Sequence, residues 1–137
     1  MSHKVQKIRQ KIDSFKKILS KESSLNCIIH DFSDQAIKSL ESFNSNQKNG
    51  VLYGKTIAVK NNINIKGTNI NCSSDILKDY ISPYDATVIN KINKNGGIIL
   101  GTTNMDEFAM GSSTEYSIYG PTMNTYGDNR VAGGSSG

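Results

Sequence analysis

Long apolar runs are missing from this chain. None approaches the ~20 residues that a helix needs to cross a bilayer, so no helical membrane span is expected within the 137 residues. Cysteine is scarce: Cys27 and Cys72 stand far apart and show no metal-ligand spacing. That excludes a disulfide framework and leaves two idle thiols as the reading. Arginine occurs only twice, against fourteen lysines and fifteen asparagines. Such a bias reflects an AT-rich coding sequence, and surface Asn and Lys carry little functional information on that account. Acids are rare at the start. Residues 1–21 hold seven Lys or Arg and one Asp, a local +6 that exceeds the +4 of the whole chain and leaves about −2 for the remainder. Basic character is therefore a property of the N-terminus and not of the body, and the length suits one domain or part of one.

What is present has a clear texture. Val5, Ile8, Ile12, Phe15, Ile18 and Leu19 recur at helical spacing with lysines between them, which predicts an amphipathic helix packed on a body with a solvated basic face. A mitochondrial targeting segment shares that character, but a single Arg and few serines weigh against it. Ser33 or Asp34 is placed to cap a second helix running to Phe43, with Ile37, Leu40 and Phe43 on one face. Residues 44–50, "NSNQKNG", read as a polar loop. The apolar run Ile57–Val59 ends abruptly in Lys60, as in a strand buried on both faces. Val88, Ile89 and Ile92 predict a helix that stops at Gly96–Gly97, and "GIIL" follows as another buried strand closed by Gly101. "NMDEFAM" has the pattern of a helix start, with Asn104 as cap and Asp106 and Glu107 in the first turn. Strand, helix, strand, helix implies an α/β fold with a mixed, largely parallel sheet flanked by helices, preceded by N-terminal helices. The expected division is a helical region over 1–50 and a sheet-bearing region over 51–137.

Two features carry chemistry. Lys60 stands where a buried strand runs out, and open α/β sheets bind ligands beyond the carboxyl ends of their strands. Burial disfavours the charged form of an amine, which suits a general base; the alternative is a lysine that snorkels to water. The final "GGSSG" is either a flexible tail or a shaped loop that presents the Ser135 hydroxyl.

The stretch "LYGKTIAVKNNINIKGTNINCSSDIL", then "TNMDEFAMGSST", "GPTMN" and "GGSSG" in that order, resembles the amidase signature family over residues 52–137. Within it, "SPYDATV" and "TNMDEFAMG" point to the glutaminase subunits of tRNA-dependent amidotransferases. The resemblance implies a Ser–Ser–Lys triad. Its lysine falls on Lys60 and its middle serine, in a cis linkage, on Ser135. The nucleophilic serine belongs roughly two dozen residues further on, outside these 137, so the domain is expected to be incomplete and this stretch alone inactive. Gly111, Ser112, Ser113 and Thr114 would lie near the substrate pocket. Asn61 replaces the family's usual Asp beside the lysine and removes one anchor for it. The resemblance further implies glutamine as substrate and no cofactor or metal in this subunit. ATP and Mg would be used by a partner, the B subunit, with a small third subunit (C, or the fungal F) and Glu-tRNA(Gln) served by the complex. Ala132 and the short basic N-terminus resemble fungal mitochondrial forms; the bacterial cytoplasm is the alternative. A stand-alone amidase, or an inactive piece that only binds a partner, are the rival readings.

Overall fold

The computed structural model describes residues 3–127 and 129–137. Helix α1 spans His3–Lys21, strand β1 Ile28–Asp31, helix α2 Ser33–Ser42, the short helix α3 Ser45–Lys48, strand β2 Thr56–Lys60, helix α4 Thr87–Lys94 and strand β3 Ile98–Thr103. The sheet is mixed, in the order β1-β3-β2. Strand β3 pairs antiparallel with β1 and parallel with β2. The parallel pair is joined by a long crossover that carries α4, as parallel strands require. Register sets Lys60 beside Thr103, so both strands run out at the same edge.

Gly101 sits in the middle of this sheet because β1 comes too close for anything larger. A Cβ there would lie 2.2 Å from the His30 carbonyl oxygen. One apolar layer covers a face of β3: Ile8 and Ile12 of α1, Ala36 and Leu40 of α2, and Phe43 close on Ile98 and Leu100. Val5, Phe15, Ile37 and Tyr53 flank them. The basic side of α1 is partly engaged within the chain. Arg9 pairs with Glu41 at 3.1 Å, Lys16 with Asp34 at 2.7 Å, and the Lys4 ammonium lies 4.3 Å from the centre of the Tyr53 ring.

Several expectations need correction. Residues 1–50 are not purely helical, because "CIIHD" supplies β1; two apolar residues were too short a run to announce a strand. The 44–50 loop holds α3, closed by a capping box in which Asn44 accepts from the Gln47 amide and the Gln47 side chain accepts from the Asn44 amide. Ser33 and Asp34 do not cap α2; Ser33 begins it and Asp31 accepts from the Ser33 amide and hydroxyl. Ile18 lies largely exposed, outside the face that Ile8 and Ile12 bury. Strand β2 is an edge strand, so Ala58 is exposed while Val59 is buried. No helix follows Asn104. A 3₁₀ turn, Glu107–Ala109, forms instead, with Phe108 and Ala109 both at positive φ.

Ile12 is wholly buried beneath the sheet layer. Ile12→Ala is expected to cost about 2–4 kcal/mol, read from the denaturant midpoint; a loss of a few tenths would contradict this packing.

His30 Nδ1 lies 2.7 Å from Thr102 Oγ1 beneath a stacked Phe32 ring. Burial holds its imidazole below the usual histidine value of 6.5. The unfolded chain therefore takes up that proton first. Stability contributed by the neutral ring is present above the unfolded value and is lost as pH falls through the lower folded one. Unfolding midpoints measured between about pH 8 and pH 5 should fall partly for this reason, and His30→Gln should flatten the slope. An identical slope in that variant would show that His30 is not involved.

Candidate active site

Beyond the common edge of β2 and β3 the chain has little regular structure, and side chains do the work of pairing the backbone. Strand β3 continues as Asn104, Met105 and Asp106, all excluded from solvent. This segment catches the end of the chain: Met105 forms a bridge with Ser136, and the Asp106 amide donates to the Ser135 carbonyl at 3.1 Å. That contact carries Ser135 across to β2, where Lys60 Nζ donates to Ser135 Oγ at 2.8 Å. Both residues are half-buried. The peptide bond between Gly134 and Ser135 is cis. "GGSSG" is thus a shaped loop held on both sides, and the tail reading falls.

Residues 111–114 pack on the same loop. A Cβ on Gly134 would meet Asp106 Oδ2 at 2.2 Å, the Ser113 nitrogen at 2.6 Å and the Ser112 carbonyl carbon at 2.7 Å. A Cβ on Gly111 would meet the same carboxylate at 2.3 Å. Gly111, Ser112 and Ser113 therefore border the Gly134–Ser135 turn. The Ser112 and Ser113 hydroxyls show no hydrogen bond to Lys60 or Ser135.

Asn61 does not hold Lys60. It is fully buried and its Nδ2 donates to Asn71 Oδ1 at 2.8 Å. Its Oδ1 is the one buried side-chain polar atom among the described residues without a hydrogen-bond partner. Asn71 donates onward to the Tyr119 hydroxyl at 2.6 Å. Asn104 is no helix cap either. Its Nδ2 donates to the carbonyls of Asn26 and Gly120 at 3.0 and 2.8 Å, and its Oδ1 accepts from Ser117 Oγ at 2.6 Å and from the Met105 amide at 2.8 Å. Asp106, read from sequence as a helix-start acid, is instead buried under two loops. The signal for that was the pair of glycines, Gly111 and Gly134, that make room for it.

Cys27 and Cys72 are free thiols, and burial pushes the Cys72 thiol up, away from thiolate chemistry. Among the described residues no cluster of three His, Cys, Asp or Glu side chains could hold a metal, and no helix is long and apolar enough to cross a membrane. A groove of mixed polar and apolar lining between α2, α4 and residues 65–68 is lined by neither Lys60 nor Ser135.

The sequence profile of the family described as Amidase matches residues 12–137. The chain belongs to the amidase family. The match begins well before residue 52, where the motif wording starts, and takes in part of α1 and all of α2. Among curated relatives of this amidase-family chain, the A subunit of glutamyl-tRNA(Gln) amidotransferase from Methanocaldococcus jannaschii is 43% identical over 134 residues, which covers 96% of this chain and 30% of the relative. The protein of the same name from Saccharolobus solfataricus is 57% identical over 90 residues, covering 66% of this chain and 19% of the relative. The solved structure of the glutamyl-tRNA(Gln) amidotransferase A subunit from Thermotoga maritima is 38% identical with a TM-score of 0.60, covering 75% of this chain and 26% of that one. The chain thus spans less than a third of the length of these relatives, and its α/β architecture is part of the larger amidase fold. All three relatives are archaeal or bacterial.

In this amidase-family chain, Gly134→Ala would drive a methyl group into Asp106 and Ser113. It is expected to destabilise the protein by about 2 kcal/mol or more. Gly127→Ala faces only the flexible Arg130 side chain and should stay within about 0.5 kcal/mol of the parent in the same denaturation series. Equal effects would refute the crowding at Gly134.

Proposed function

We propose that this chain carries the Lys–Ser half of the catalytic centre of a glutamine-hydrolysing protein, the A subunit of a glutamyl-tRNA(Gln) amidotransferase. The observation that carries the reading is the 2.8 Å contact between Lys60 Nζ and Ser135 Oγ at the carboxyl edge of the sheet. A serine hydroxyl is a weak nucleophile and needs an adjacent base. In the proposed reaction the Lys60 amine takes a proton from Ser135 across this contact, and Ser135 takes one from the nucleophilic serine, which the resemblance places beyond residue 137. That serine attacks the side-chain amide carbon of glutamine. The relay then runs backward and protonates the departing ammonia. Water releases glutamate by the same route. Gly111, Ser112 and Ser113, against the Ser135 turn, are proposed to border the glutamine pocket.

The ammonia is proposed to pass to the B subunit, which uses ATP and Mg to activate the γ-carboxylate of Glu carried by tRNA(Gln); Gln-tRNA(Gln) is the product. The glutaminase itself takes no cofactor in that scheme, and the small third subunit (C or F) completes the complex. The names of the relatives favour this over a stand-alone amidase. Their archaeal and bacterial sources support a cytoplasmic complex over the mitochondrial one suggested by Ala132 and the basic N-terminus.

In the full-length protein assembled with its partners, Lys60→Ala and Ser135→Ala are each expected to lower glutamine-dependent ammonia release by about 10³-fold or more, while amidation fed with ammonium salts continues. Glutaminase activity within tenfold of the parent in either variant would overturn the assignment. A polypeptide of these 137 residues alone is expected to release no ammonia from glutamine, and release that Lys60→Ala abolishes would refute that.

A further inference from the structure

We propose that Asp106 and Thr114 form a positioning clamp that sets Ser135 Oγ against Lys60 Nζ. The clamp rests on the reading of Lys60 and Ser135 given above, which assigns no part to Asp106 and none to Thr114 beyond its loop. Both side chains are fully buried. Asp106 Oδ2 accepts from the Thr114 amide at 3.0 Å and Oδ1 from the Tyr116 amide at 3.3 Å. The Thr114 hydroxyl donates to the Gly133 carbonyl at 2.6 Å. The Asp106 amide donates to the Ser135 carbonyl at 3.1 Å. The two carbonyls on either side of Gly134 are thereby fixed, one by each residue.

Fixing both carbonyls fixes the two peptide planes that bound the Gly134–Ser135 segment, and with them the direction of the Ser135 Cα–Cβ bond. Asp106 also holds Thr114 itself, whose φ of 62° is unusual for a β-branched residue. The side-chain length is set from two sides. Gly111 and Gly134 press on the carboxylate closely enough that a Cβ on either would overlap it, so glutamate does not fit. Neither Asp106 nor Thr114 is hydrogen-bonded to Lys60 or to Ser135 Oγ. They act through backbone, and a shift of about 1 Å at a reacting hydroxyl can cost about a hundredfold in rate.

The test uses the full-length protein in its complex, with Thr114→Val, Thr114→Ser and Asp106→Asn. Thr114→Val keeps the shape and loses the hydroxyl. It is expected to lower kcat for glutamine hydrolysis about 10- to 100-fold with KM within about threefold of the parent, and Thr114→Ser should recover most of that loss. Asp106→Asn points an amino group at a backbone N–H and should fall as far or further. The same variants are read without turnover by NMR of 13C-labelled lysine, with the Lys60 signal assigned by Lys60→Arg. In Thr114→Val and Asp106→Asn that signal should move toward its position in Ser135→Ala, and in Thr114→Ser it should stay near the parent. Variants that lower the melting temperature but leave kcat and the Lys60 signal at parent values would overturn the clamp. If Asp106→Asn does not fold, the Thr114 pair decides. If the parent shows no Lys60-dependent hydrolysis, the functional reading fails and the Lys60 signal alone decides the clamp: movement in Thr114→Val supports it and an unmoved signal overturns it.

Discussion

Two side chains excluded from water, Asn104 and Asp106, hold together the backbone at the carboxyl edge of the sheet. The segments around them (26–27, 72–73, 114–120 and 133–136) contain almost no helix or strand, and the residues that meet Asn104 and Asp106 there, Ser73 and Thr114 above all, are shielded from water. Buried N–H and C=O groups need partners, and here there is no ladder to supply them. Asn104 offers two donors and an acceptor and uses both kinds, toward carbonyls of residues 26 and 120 and toward Ser117 and its own neighbour's amide. Asp106 offers only acceptors and takes the amides of 114 and 116. Leaving one such group unpaired costs about 1–3 kcal/mol. Polar side chains on a strand extension thus serve these loops as a strand would.

That extension is itself held in place by the apolar layer on the other side of the chain. Ile98 and Leu100, sealed by α1 and α2, fix β3 between its two neighbours. Parallel pairing then sets Lys60 level with Thr103, three residues before Asp106. The ion pairs of α1 with α2 contribute little to this, since both lie in solvent. The Lys16–Asp34 pair holds each partner more firmly in its charged form, the lysine raised and the carboxyl lowered. The helices position the sheet through Ile8, Ile12 and Leu40, not through their charges.

The sequence made some of this plain and concealed the rest for identifiable reasons. Helices α1, α2 and α4 showed because their apolar residues repeat at about 3.6, and β3 showed because it is central and opens on the apolar run Ile98–Leu100, though it runs on through Gly101, which reads as a stop, to Thr103. Strand β1 did not, since Ile28 and Ile29 alone fit helix, strand or loop equally. The helix expected after Asn104 failed on Phe108 and Ala109, whose positive φ no propensity reveals. The motif wording led directly to Lys60 and Ser135, and the structure brings them into contact. The asparagine bias had the opposite effect. It argued for ignoring Asn, while Asn61, Asn71 and Asn104 are among the most buried residues in the chain.

The glycines raise a more general point about composition. A run such as "GGSSG" reads as freedom, because glycine and serine are what flexible linkers use. Here the same residues answer to crowding. Gly134 lacks a side chain because Asp106, Ser112 and Ser113 already occupy that volume, and Gly137 because Thr114 and Thr122 do. Gly111 yields to the same carboxylate. The loop is closed in at Gly134 and Gly137, while Gly133 is open, with only the Ser112 carbonyl oxygen 4.0 Å from a Cβ there and a φ of +112°. Crowding on both sides of Ser135 limits where its hydroxyl can go, and here it sits 2.8 Å from the Lys60 amine without help from regular secondary structure. The small residues near Lys60 are therefore evidence of a buried acid beneath them, and a pair of sequence-distant glycine-rich loops that close on one Asp is a pattern worth reading as a built site.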